Sequence, residues 1–122
     1  MKLDTIGQIA ITVEDVPRSL GFYRDVLGLE FLFQPSADLA FLDVGGVRLM
    51  LTVPQGAGTP GENSVLYFRV DDIDEAHDEL GTRGAEFERG PERAARLPDH
   101  ELWLAFLRDP EGNLIGLMEE RR

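Results

Sequence analysis

Apolar and polar positions first alternate with a period of two, then with a helical period, and the alternation occurs twice. Ile6 to Val13 is β-branched and alternates, which predicts a strand with Gln8, Ala10 and Thr12 on one face and Ile9, Ile11 and Val13 on the other. The second face is the more apolar and should meet a helix. Asp15 offers an N-cap, and Pro17 suits a first helical turn. Leu20, Tyr23 and Leu27 fall at helical spacing over a helix reaching about Val26, and Gly28 is placed to end it in the left-handed conformation. Strands are predicted at Leu29 to Gln34, Leu39 to Val44 and Val47 to Val53, with Gly45-Gly46 as the turn between the last two.

Residues 54–63 (PQGAGTPGEN) carry no hydrophobic pattern and read as a linker. The first pattern then begins again. Val65 to Asp72 echoes the opening strand, Asp72 caps a second helix, and Glu75 three residues on completes a capping-box-like pair. Ile73, Ala76 and Leu80 form the buried stripe, and Gly84 stops the helix as Gly28 stopped the first. Ala85 to Glu88 reads as a strand and Arg89 to Asp99 as a polar excursion. A hairpin follows, HELWLAFLRDPEGNLIGLMEE, from His100 to Glu120. Asp109-Pro110-Glu111-Gly112 fits a type I turn. Leu102, Leu104 and Phe106 occupy one face of its first strand; Trp103, Ala105 and Leu107 occupy the other.

The chain therefore holds one internal duplication of strand, helix and three strands. Each copy has one helix and can cover only one face of its sheet. Two copies can turn their open faces toward each other and enclose a shared concavity.

Composition narrows the function. At 122 residues the chain is one domain's length. It has no cysteine, which excludes disulfides, thiolate metal sites and cysteine nucleophiles. The net charge of −11 disfavours nucleic acid and anionic membranes. The first residues, MKLDTIGQ, hold no apolar signal run, and no stretch is long enough to span a bilayer, so a cytoplasmic protein is expected. No Ser-His-Asp order, glycine-rich phosphate loop or HExxH pattern occurs. The acidic run Asp71 to Glu75 lacks calcium-loop spacing and suits a helix N-terminus.

Three segments carry a family resemblance: ITVEDVPRSLGFYRDVLGLEF (Ile11 to Phe31), YFRVDDIDEAHDEL (Tyr67 to Leu80) and LAFLRDPEGNLIGLMEE (Leu104 to Glu120). In these the chain resembles the vicinal oxygen chelate superfamily, which includes glyoxalase I, bleomycin-resistance proteins, fosfomycin-resistance proteins and extradiol dioxygenases. The resemblance implies an α+β fold of two βαβββ modules, about residues 4–53 and 64–120, forming a half-open barrel-like mixed sheet around a site. It also implies a homodimer, with or without exchange of modules.

Enzymes of that superfamily usually hold a divalent metal with four side chains. The resemblance places those positions at Gln8, Met50, Val65 and Gly116. Only Gln8 can ligate, and a catalytic site needs about three protein donors. The expectation is a protein without metal or other cofactor. By parity with these positions, Gln8, Arg48, Met50, Val65, Tyr67, Arg69 and Gly116 face the cavity, and the resemblance to family members adds His100, Leu104 and Phe106 from the inner face of their strand. The leading expectation is a binder of a small organic molecule in the cleft between modules, similar in mode to bleomycin-resistance proteins. The alternative is a lyase- or dioxygenase-type enzyme with displaced ligands, or a metal-independent catalyst using His100 and Tyr67. A third reading fills the pocket with side chains and leaves the surface to act. His77 is expected to pack rather than to catalyse.

Overall fold

Each half of the chain folds as strand, helix and three strands. The computed structural model describes residues 1–122, which divide into two compact units, Met1–Asn63 and Ser64–Arg122.

The first unit contains β1 (Gln8–Thr12), α1 (Val16–Gly21), β2 (Glu30–Ser36), β3 (Leu39–Val44) and β4 (Val47–Thr52), in sheet order β1-β4-β3-β2. β1 runs parallel to β4 and the other pairs are antiparallel, giving an open mixed sheet. Asp15 caps α1 by accepting a hydrogen bond from the Arg18 N–H at 3.0 Å. The helix continues as one wide turn over Phe22–Val26, where the Leu27 N–H donates to the Phe22 carbonyl. Gly28, with φ 75°, then ends it, a conformation that costs a glycine little. Ile11, Val13, Leu20, Tyr23, Leu42 and Leu51 form the core between helix and sheet.

The edge strand β2 holds a bulge. Phe31 stands opposite Leu42, and Phe33 opposite Phe41, with Leu32 as the extra residue. A one-residue shift reverses the facing of a strand. Phe31 thus lies on the helix side, where Arg24 approaches its ring, while Phe33 joins Phe41 on the open face.

Residues 54–63 fold back on β1. Thr12 donates its N–H to Asn63 Oδ1 at 3.0 Å, its carbonyl accepts from Asn63 Nδ2 at 2.9 Å, and its hydroxyl donates to the Ala57 carbonyl.

The second unit contains β5 (Leu66–Arg69), α2 (Ile73–Thr82), β6 (Phe87–Arg96), β7 (Glu101–Arg108) and β8 (Leu114–Arg121), in order β5-β8-β7-β6. Asp72 caps α2 through the Glu75 N–H. Ile73, Leu80, Ala105, Leu107, Ile115 and Leu117 are its core. The turn after β7 is closed by the Gly112 N–H on the Asp109 carbonyl at 3.0 Å. The Asp109 carboxylate is buried and accepts from the Glu111 N–H, the Asn113 N–H and Asn113 Nδ2.

One expectation is corrected. The polar excursion from Arg89 is strand through Arg96. β6 is an edge with register shifts at three points, so it needs no apolar face of its own. Gly90 and Pro91 are accommodated at these irregularities.

Candidate functional site

Each sheet has one face under its helix and one face without. The residues expected in the cavity lie mostly on the open faces, and the register shows why. Gln8 pairs with Arg48, Ala10 with Met50, and Phe41 with Met50, so these side chains share a face in the first unit. There Gln8 Nε2 donates to Met50 Sδ at 3.6 Å. The Phe33 and Phe41 ring centres are 4.7 Å apart. The Arg48 guanidinium lies 5.9 Å from the Phe33 ring centre and 5.4 Å from that of Phe41.

In the second unit Tyr67 pairs with Gly116, and Gly116 with Phe106. The Tyr67 ring lies on Gly116 and meets Phe106 edge-to-face at 5.8 Å. Tyr67 is 48% exposed, so much of this large ring faces outward. Leu104 continues the same face, paired with Met118. Arg89, register partner of Phe106, places its guanidinium 6.0 Å from that ring's centre. A hollow of about 90 Å³ opens beside it, lined by Arg89, Gly90, Glu92, Arg93, Ala94, Leu104 and Phe106. Arg89 and the hollow follow from β6 being strand, so a reading of this segment as a polar loop misses them. Arg69 leaves this face at its rim and approaches Glu120 at 3.9 Å. Val65 precedes β5, half-buried.

The two arginines stand apart electrostatically. Arg24, Arg83, Arg93, Arg96, Arg108 and Arg121 each have a carboxylate oxygen within 3.3 Å. Arg48 and Arg89 form no ion pair, and their close partners are aromatic rings.

His100 and Tyr67 are not brought together. His100 sits in the turn joining β6 to β7, where its carbonyl accepts from the Leu97 N–H. Phe106, which touches Tyr67, lies six residues farther on, roughly 20 Å along an extended strand. The His100 ring contacts Asp99 at 2.8 Å. That contact, with a second from Arg122, holds the Asp99 carboxyl below the usual carboxylate range. His100 instead borders a depression of about 460 Å³ with Leu97, Pro98, Arg96, Arg121 and Arg122. His77 packs on Phe87, ring centres 4.4 Å apart.

The helix-covered face of the second unit carries a different cluster. Glu119, only 7% exposed, accepts from the Ile73 N–H at 2.9 Å, at the start of α2. Arg121 donates to the same carboxylate and lies 4.1 Å above the Trp103 ring. Trp103 in turn donates to Glu101. The bond from Arg121 is the main cause that lowers the Glu119 pKa, and the Ile73 N–H adds to it.

The four positions that the resemblance assigns to metal ligands supply an amide, a thioether, an isopropyl group and no side chain. At Gly116 the space for a carboxylate arm is taken by the Tyr67 ring. No group of three or more His, Asp or Glu is arranged to hold an ion. This donor set does not fit a divalent metal.

Comparison with known proteins agrees with this architecture. Residues 5–117 match the Glyoxalase/Bleomycin resistance protein/Dioxygenase superfamily, and the chain belongs to it. It is 30% identical over 126 residues to the protein YraH of Bacillus subtilis, covering 90% of this chain and 94% of that one. Among solved structures it is similar to TnmS3, an antibiotic binding protein from a Streptomyces species, with TM-score 0.81 and 26% identity over 98% of both chains. It is also similar to the lactoylglutathione lyase of Agrobacterium tumefaciens, with TM-score 0.79 and 26% identity over 97% of this chain and 95% of that chain. No helix is long and apolar enough to cross a membrane.

Proposed function

We propose that the protein binds a small organic molecule on the open, aromatic faces of its sheets and does so without a metal. One observation carries the reading. At Gly116, where catalytic relatives are expected to place an anionic ligand, the chain has no side chain and lays Tyr67 over the gap. That exchange replaces a hard oxygen donor with an exposed apolar ring beside Phe106. Apolar walls with a few polar points are the general form of a small-molecule site, and Arg48, Arg89 and Gln8 are the polar points here. The likeness to an antibiotic binding protein supports the same class. The proposal extends to a homodimeric, cytoplasmic protein.

Native mass spectrometry of protein purified from its own host, before and after incubation with excess zinc, nickel, manganese or iron, tests this. The expected result is an organic adduct lost on denaturation and no tight stoichiometric metal. One ion per chain surviving desalting would overturn the metal-free reading.

A further inference from the structure

We infer that the ligand of the second unit's open face is a planar aromatic anion, its ring laid on Tyr67 and its negative group held by Arg89. This rests on the binding function proposed above and adds the ligand's charge and shape. In a chain of net charge −11, carboxylates are abundant, and surface arginines readily find them. Arg89 finds none and is oriented by the Phe106 ring instead. Glu92 borders the same hollow without closing an ion pair onto it. A guanidinium that approaches a ring and closes no ion pair keeps its hydrogen-bond donors available for a carboxylate or phenolate. The half-exposed Tyr67 ring, edge-on to the same Phe106, offers a flat surface that favours another aromatic group. The hollow beside Phe106, about 90 Å³, has room for a small polar group rather than a second ring. Arg48 over Phe33 and Phe41 repeats the same chemistry in the first unit and is the natural comparison.

Isothermal titration with 2-naphthoate, 2-naphthamide and 2-naphthylmethylammonium separates shape from charge. The expected result is naphthoate binding about ten-fold or more tighter than the neutral amide, as one charge-assisted bond provides, with the ammonium weakest. Arg89→Gln should bring naphthoate down to the amide's affinity, and Glu92→Gln should tighten it. Both positions are exposed, and circular dichroism checks that each variant is folded. Equal binding of naphthoate and naphthamide would overturn the inference and leave the binding function standing. A charge preference that survives Arg89→Gln, whether or not Arg48→Gln abolishes it, would overturn the assignment to Arg89. Binding of none of the three would overturn the inference, while the organic adduct in native mass spectrometry decides the binding function separately.

Discussion

A methyl group at position 116 would fall 2.5 Å from Cδ2 of Tyr67, well inside van der Waals contact, so the ring in this position requires glycine beneath it. The backbone at Gly116 is ordinary strand, so the constraint is the ring and not the dihedral angle. Gly116→Ala should destabilise the protein by about 1–3 kcal/mol, the usual cost of overpacking. The cost should largely vanish in a Tyr67→Ala background. Urea unfolding of the four members of the cycle measures it. An additive pair would mean that the ring and the glycine do not interact.

Glu119 should set part of the acid limit of stability. Its carboxylate holds both Arg121 and the first N–H of α2, and its pKa is lowered in the folded protein. A depressed pKa adds stability above the unfolded value, about 4.3, and loses it as pH falls through the lower folded value. Glu119→Gln should cost about 1.5–3 kcal/mol near neutral pH, the range for a hydrogen bond to a charged group. It should also flatten the decline below about pH 4.5. Thermal unfolding from pH 3 to 7 checks both, and parallel curves for variant and parent would contradict the account.

Asp109 accepts three hydrogen bonds from its own turn while buried. Asp109→Ala removes all three and leaves the Asn113 N–H without this acceptor. A loss of about 3 kcal/mol is expected, near 1 kcal/mol for each bond. Asp109→Asn should lose less, since its amide oxygen can still accept. Equilibrium denaturation ranks the two.

His100→Ala should leave ligand affinity within about two-fold of the parent, because its side chain lies roughly 20 Å along the strand from Phe106, where the Tyr67 ring packs. Titration with whichever naphthyl probe binds best is the measurement. A large drop would show that the hairpin turn, and not the sheet face, receives the ligand.

Much of this arrangement was legible from pattern alone. β3 spans Leu39–Val44, the bounds read from the sequence, and Asp15, Asp72, Gly28 and Gly84 begin and end the helices where their chemistry places them. The pairing of Tyr67 with Gly116 was half visible. Parity put both on one face, but only the register shows that one covers the other. β6 was not legible. Its residues Arg89 to Arg96 hold four charged side chains, a glycine and a proline, and its bulges break the period that a strand shows in sequence. Arg89 was hidden with it. The bulge at Leu32 was hidden too: Phe31, Leu32 and Phe33 are apolar in succession, so nothing in the pattern marks the point that turns Phe31 and Phe33 to opposite sides.

Asn63 has a consequence beyond anchoring the segment that leads to it. β1 is the outer strand of its sheet, and Thr12 points both its backbone groups away from β4. One carboxamide satisfies that donor and that acceptor together, standing in for the neighbouring strand the edge lacks. At Thr12 the edge therefore offers no free backbone pair to a strand of another chain, the contact through which an open β-edge templates growth in a crowded cell.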